Sequence, residues 1–383
     1  MSSSVDSRAA DHLRRLAAAL ADAVAAASPA ADAGEGLTFM EVCGTHTMAI
    51  SRYGLRDLLP AAMRLVSGPG CPVCVTAMRD LDLVVAMARL PEVTIVTFGD
   101  LIRVPSSRTS LAEERAAGAD VRVVYSPADA VALAAELPGR QVVFVGIGFE
   151  TTAPTVAASV LEAQARGIAN FSVLCLHTTM PGPLRALLES GETHLTGFIL
   201  PGHVSVVTGT GCYKFVADEF GVGGVIAGFD AADVLESLLM LARQQQPAIE
   251  IQYRRAVHPE GNPVARQVME RVFEPGDADW RGLGVIPGSG LRFGDEFGVF
   301  DALRRFAVDP GETLEPQGCR CGDVLRGALD PADCGLFGTR CTPESLVGAC
   351  MVSSEGSCAA QYRYRALDDA DVRPSSPSEA THD

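Results

Sequence analysis

An α/β protein is predicted: two doubly wound parallel-sheet domains, followed by a small C-terminal module that is loop-rich and dense in cysteine. Three observations predict it. Short apolar runs rich in β-branched residues alternate with amphipathic stretches through most of the 383 residues. Near-continuous apolar strands separated by helices imply parallel sheets covered on both faces. The alternation yields eight strand candidates, more than one open sheet needs, and after Pro310 the periodicity fades while Gly and Cys rise.

Residues 1–36 read as an Ala-rich extension in which Asp6, Asp11 and Asp22 break any signal-peptide apolar core. The first domain is expected over 37–135, with strands at 37–42, 64–66, 93–98 and 121–125 and helices at 77–90 and 128–137. The second is expected over 136–312, with strands at 141–147, 171–176, 197–200 and 224–228 and helices at 153–166 and 231–244. In the last helix Val234, Leu235, Leu238, Leu239 and Leu241 follow helical spacing. The junction is expected near 127–140, and an interleaved chain path is compatible with the same pattern. Residues 313–365 form the cysteine module, and the Asp/Ser/Pro-rich stretch 366–383 reads as a disordered tail.

Composition excludes several function classes. With 48% hydrophobic and 20% charged residues, the chain can bury full cores and needs no disulfide staples. No apolar run approaches the length of a membrane-spanning helix. A cytoplasmic location follows as the expectation, and there cysteine clusters mean metals or catalysis. A net charge of −16 argues against a nucleic-acid partner. The single lysine, Lys214, follows Tyr213 rather than a glycine, which excludes a P-loop nucleotide site.

Cysteine carries the functional signal. Cys43-Gly44-Thr45-His46 follows an apolar strand and precedes a helical stretch, where a helix dipole favours a thiolate. Cys71-Pro72-Val73-Cys74 repeats that arrangement and reads as a redox pair or half of a tetrathiolate site. Together Cys43, Cys71 and Cys74 suggest a three-thiolate metal pocket with open coordination positions. In the rear group stand Cys319, Cys321, Cys334, Cys341, Cys350 and Cys358. Their spacing matches neither bacterial ferredoxins nor a zinc ribbon, and six thiols exceed one [4Fe–4S] cluster by two. Four ligands plus one redox pair is the simplest account, with zinc as the alternative. The expected ligands are Cys334, Cys341, Cys350 and Cys358, with Cys319 and Cys321 supplying redox thiols.

Three further positions attract attention. The stretch 142–152 resembles a dinucleotide fingerprint but has Thr151 where the third glycine belongs, so turn chemistry is the favoured reading. Glu150 remains of interest because α/β sheets place their sites at strand C-terminal ends. His203, just past another strand end, reads as a ligand, a proton donor or a satisfied loop histidine.

Five motifs then coincide with those of one family: 39–47 around Cys43 and His46, 67–76 around Cys71 and Cys74, 148–154 around Glu150, 201–205 around His203, and 348–356 around Cys350 and Glu355. Over about residues 37–365 the sequence resembles the HypD family of hydrogenase maturation factors. The resemblance implies two α/β domains and a C-terminal [4Fe–4S] module. It implies assembly of the Fe(CN)2CO unit of [NiFe] hydrogenases on bound Fe2+, with a HypC-type small chaperone and a HypE-type cyanide donor as partners. It also marks Cys43, His46, Cys71, Cys74, Glu150, His203 and Glu355 as the reactive set. Such a protein is a redox-active assembly scaffold rather than a stand-alone enzyme. The competing readings are an iron–sulfur-dependent thiol–disulfide reductase, which has no need of Cys43 and His46 together, and a scaffold whose cluster only organises the fold.

Overall fold

The computed structural model describes residues 3–27 and 36–371. Its strands are β1 (Leu37–Glu41), β2 (Met63–Ser67), β3 (Val93–Thr97), β4 (Asp120–Val123), β5 (Gln141–Gly148), β6 (Phe171–His177), β7 (Gly197–Pro201), β8 (Gly223–Ala227), β9 (Ile249–Ile251), β10 (Phe273–Trp280) and β11 (Gly284–Phe293). They form a five-stranded sheet in the order β2-β1-β7-β8-β9, a four-stranded sheet in the order β4-β3-β5-β6, and a two-stranded β10-β11 hairpin. Every pairing in the two larger sheets is parallel. This is the α/β architecture expected from the alternating pattern.

The linear division at 135/136 is corrected. β1 pairs with β2 on one side and with β7 on the other, in the register Phe39↔Gly197, Met40↔Phe198, Glu41↔Ile199. The four-stranded sheet is therefore an insertion between β2 and β7, and the two domains interleave. The stretch read as a junction is the helix Pro127–Glu136, which joins β4 to β5 within one sheet. Ser126 and Asp129 cap it reciprocally, and Pro127 occupies its first turn. Ser-Pro punctuation thus marks a helix start here rather than a linker.

The hairpin was invisible to periodicity because Gly, Pro and Asp interrupt β10 and β11, and its register shifts between Gly276 and Ala278. Trp280 nonetheless anchors it: the indole is fully buried and donates to Ser289 Oγ at 2.8 Å. Among the described residues, no helix is long and apolar enough to cross a membrane.

Both termini depart from expectation. Most of the Ala-rich extension is the helix Ser3–Ala27, whose Leu20 and Val24 are buried with Leu235, Leu238 and Leu239 of the helix Ala231–Arg243. Alanine on a narrow Leu/Val stripe gives a weak sequence signal, yet a stripe suffices to seal one side of a sheet–helix layer. The expected tail is helical at its start, because the helix Ser357–Asp371 runs through 366–371; residues 372–383 lie outside the described residues. Truncating Leu20 removes a fully buried side chain, so Leu20→Ala is expected to destabilise the protein by about 2–5 kcal/mol. Urea unfolding of the full chain measures this, and an unchanged midpoint would mean that the helix does not belong to the core.

Candidate functional site

Loops at the C-terminal ends of the two larger sheets build the site. In the five-stranded sheet the chain runs from β1 outward to β2 and then returns on the far side as β7, so strand order reverses between β1 and β7. Open α/β sheets bind their ligands in the crevice at such a reversal. Cys43 follows β1 and His203 follows β7, which brings both to that crevice.

Cys43 is the N-cap of the helix Gly44–Arg52 and has an extended backbone. Two glycines let other segments close on it. Gly70 lies so near that a Cβ there would overlap the Cys43 backbone, and its carbonyl accepts from Gly44 N at 2.9 Å. A Cβ on Gly44 would in turn overlap the side chain of Glu355, whose Oε1 accepts from Thr45 Oγ1 at 2.8 Å. Its own helix start, the loop before Cys71 and the C-terminal module therefore all meet at Cys43.

The expected thiolate is not what this environment favours. Cys43 is 8% exposed, and burial followed by the Glu355 charge pushes its thiol up to about 12. Backbone N–H groups of His46 and Thr45 act in the opposite direction, as the helix argument anticipates, but they lose to desolvation. Without a cation the group stays a thiol. Beneath it Glu41, fully buried, accepts from Cys43 N at 3.2 Å and from Thr47 Oγ1 at 2.6 Å. Burial raises the Glu41 carboxyl to about 7. An acid closing the apolar run Leu37–Glu41 was the available sequence signal, and it was passed over.

His46 points away from the thiol crevice. Its Nε2–H reaches the carbonyls of Gly228 at 3.0 Å and Ala227 at 3.3 Å, which leaves Nδ1 buried without a partner. Burial lowers its pKa to about 4, so the ring is neutral. It stacks on Phe229 at 4.9 Å, and the exposed His203 stacks on the same ring at 3.9 Å. His46 and His203 are thus joined through an aromatic ring that the sequence reading had not singled out.

Cys71 and Cys74 form a disulfide across the one-turn helix Pro72–Val75, with Cα atoms 5.2 Å apart. Their sulfurs bond each other, so a three-thiolate pocket is absent in this state and Cys43 is the one free thiol of the front group. At the rear, Cys321 pairs with Cys350, Cα to Cα 6.3 Å, rather than standing with Cys319. Sequence proximity suggested the Cys319–Cys321 pairing, but Cys321 opens the helix Cys321–Leu325 and faces the helix Ala349–Val352. The two disulfides share one apolar core, and Cys74 Sγ lies 4.0 Å from the carbonyl of Ala349, the neighbour of Cys350.

The four remaining rear cysteines, Cys319, Cys334, Cys341 and Cys358, are free. They line one cavity with Leu336, Phe337 and Met351, and the Cys321–Cys350 pair borders it. Their charges would act on one another: Cys358 is pushed far up by burial and then by Cys341, Cys319 and Cys334. A Cβ on Gly348 would come within 2.7 Å of Cys319 Sγ, so the glycine keeps space open beside that thiol. Among the described residues, no three His, Cys, Asp or Glu side chains close on a single point as ligands of one ion would. Four soft donors spread around an apolar cavity fit a polynuclear iron–sulfur cluster, in which each thiolate binds a different iron. They fit one tetrahedral ion less well.

Glu150 follows β5, beside the strand-order reversal between β3 and β5. It is buried; Oε1 accepts from Met180 N at 3.0 Å, Oε2 has no partner, and burial raises the carboxyl to about 7. Its charge is felt by Cys212 and Tyr213 of the other domain, so it lies where the two domains meet. The neighbouring Gly-x-Gly serves packing: a Cβ on Gly146 would come within 2.7 Å of the His177 ring.

A family model named HypD and described as "Hydrogenase formation hypA family" matches residues 15–365. The chain is 48% identical to the hydrogenase expression/formation protein HupD of Azotobacter chroococcum mcd 1, over 87% of this chain and 91% of that protein. It is also 48% identical to the hydrogenase maturation factors HypD of Rhizobium leguminosarum bv. viciae and of Escherichia coli (strain K12). Those matches cover 87% and 86% of this chain, and 90% and 89% of the respective relatives. With a match spanning both sheets and the cysteine module, the chain belongs to the HypD family of hydrogenase maturation factors.

Proposed function

We propose that the protein is the redox scaffold on which the Fe(CN)2CO unit of [NiFe] hydrogenases is assembled. It would work in the cytoplasm with a HypC-type chaperone and a HypE-type cyanide donor. One observation carries this reading: sulfur groups lead from the four-thiol cavity, past Cys321–Cys350 on its border, to Cys71–Cys74 and the loop of Cys43. Cys319, Cys334, Cys341 and Cys358 would hold a [4Fe–4S] cluster, which would supply electrons one at a time. The two disulfides store electrons in pairs, each taking up two electrons and two protons to become a dithiol.

Cyanide presented as a thiocyanate on a partner's cysteine needs such a pair. The Cys71/Cys74 dithiol gives two electrons to the S–CN bond, which breaks. Cyanide leaves, the partner's thiol regains one proton, the second proton goes to solvent, and the Cys71–Cys74 disulfide reforms. Two electrons from an external one-electron donor and two protons from solvent then restore the dithiol. The Fe2+ cargo binds at Cys43, whose proton the metal displaces. Thiolate ligation leaves positions open for strong-field ligands. Glu41 and Glu355 surround that position with carboxylates, which favour an arriving cation. His46 holds the Cys43 helix against the strand end of β8, and Glu150 and His203 line the approaches from the two domains.

Three measurements test the reading. Cys43→Ala is expected to fold and to keep its rear cluster, but the purified complex should lose the Fe–CN and Fe–CO infrared bands. Normal bands would anchor the iron elsewhere and favour a plain thiol–disulfide reductase. Replacing Cys334 or Cys341 by Ala should abolish acid-labile sulfide, whereas Cys350→Ala should retain it; sulfide lost only with Cys350 would overturn the ligand set. Differential alkylation read by mass spectrometry should find Cys71, Cys74, Cys321 and Cys350 protected before reduction and labelled after it. Identical labelling in both states would remove the electron-pair store.

A further inference from the structure

The two covers of Cys43 both lead back to the Cys71–Cys74 pair. On one side stands Gly70, next to Cys71 in the chain, with its backbone against Val42 and Cys43 and its carbonyl accepting from Gly44 N at 2.9 Å. On the other stands Glu355, whose Oε1 accepts from Thr45 Oγ1 at 2.8 Å. Gly356, the next residue, lies so near Cys350 that a Cβ there would overlap the Cys350 backbone. Glu355 and the helix Ala349–Val352 are thereby one piece, and in that helix the Ala349 carbonyl faces Cys74 Sγ.

The helix Pro72–Val75 is also a link between the two domains, since it follows β2 of the five-stranded sheet and leads toward β3 of the four-stranded one. Its two ends are held by different means. At the far end Arg281 N donates to Val75 O at 2.8 Å, Arg281 Nη2 donates to Thr76 O at 3.0 Å, and Thr76 bridges to the buried Trp280. At the near end Gly68-Pro69-Gly70 offers almost no side chain for anchoring. It is tied by backbone bonds, Gly68 N to Glu41 O at 2.8 Å and Gly44 N to Gly70 O.

We propose that the Cys71–Cys74 pair gates Cys43: the disulfide holds the Gly70 and Glu355 covers shut, and reduction lets them part. The inference rests on the reading above, in which Cys43 takes up the iron, and adds when that thiol becomes reachable. Reduction breaks the S–S bond, and two electrons and two protons make two S–H groups. The external one-electron donor of the proposed function supplies the electrons. Cys71 is 4% exposed and Cys74 fully buried, so sulfurs that no longer bond must separate inside a packed core. The new Cys74 S–H gains an acceptor in Ala349 O, which a disulfide sulfur has no proton to use. Reduction thus changes what the pair does to both covers, and a switch requires such a difference between its states. Because Val75 and Thr76 are tied to the buried hairpin tip, the displacement passes to the glycine side, where Gly70 lies on Cys43. The cargo site then opens once the dithiol that must reduce the cyanide donor is ready.

The test times the alkylation of Cys43 by iodoacetamide in the full-length protein under anaerobic conditions, read by peptide mass spectrometry. One sample is used as isolated. The other is first reduced with dithiothreitol, which leaves as its cyclic disulfide, and then desalted. Cys43 should label about tenfold or more faster after reduction. Equal rates, with Cys71 and Cys74 labelled in the reduced sample, overturn the gate and leave the iron reading to its own infrared test. Full labelling of Cys71 and Cys74 before reduction removes the gate together with the electron-pair store. Dithiothreitol also opens Cys321–Cys350, so Cys350→Ala is compared with and without reductant. A retained rise places the gate at Cys71–Cys74, and a lost rise overturns it. Cys71→Ser combined with Cys74→Ser removes the cross-link and should label Cys43 at the fast rate in both samples, whereas a slow rate in both overturns the proposal. If the double variant does not fold, the wild-type and Cys350→Ala comparisons decide.

Discussion

Pairing of β1 with both β2 and β7 is the constraint on which the rest depends. Because β1 sits inside the five-stranded sheet, its C-terminal end is flanked by the loops after β2 and β7. Those loops carry Cys71 and His203, so a backbone ladder converts three distant sequence segments into one crevice. Gly70 and Gly44 then permit backbones and the Glu355 side chain to approach Cys43 more closely than any Cβ would allow. The same interleaving inserts the four-stranded sheet and brings Glu150 to the meeting of the domains.

Burial governs the chemistry of the crevice more than the helix dipole does. Glu41, Glu150 and Cys43 are all displaced toward their neutral forms, and His46 is held neutral as well. Groups shifted toward their neutral forms by desolvation respond strongly to a nearby cation. In the proposed function an arriving metal would offset the cost of ionising the buried thiol, and the nearby carboxylates would gain from the same charge. A buried thiol held in its neutral form is also protected from adventitious oxidation, since the thiolate is the nucleophile.

The cysteines divide by geometry into two disulfides, four cavity thiols and Cys43. Counting predicted four ligands and one redox pair at the rear, where the structure has four free thiols and one disulfide. The membership differed, because helix Cys321–Leu325 turns Cys321 toward Cys350 while Cys319 faces the cavity. Neighbours in sequence need not be neighbours across a core, and local spacing carries no record of which helix packs on which.

By itself the sequence determined the α/β class, through apolar runs that only doubly covered parallel strands bury. It also singled out the candidate cysteines, because the side-chain chemistry of thiols and their loop settings are local properties. The tertiary structure alone decided the interleaved strand order, the disulfide partners, the neutral state of Cys43 and the placement of Glu41 and Phe229 beside the candidate residues. Each of these rests on contacts between segments far apart in the chain. Desolvation and strand pairing are sums over such contacts, and no window of the sequence contains them.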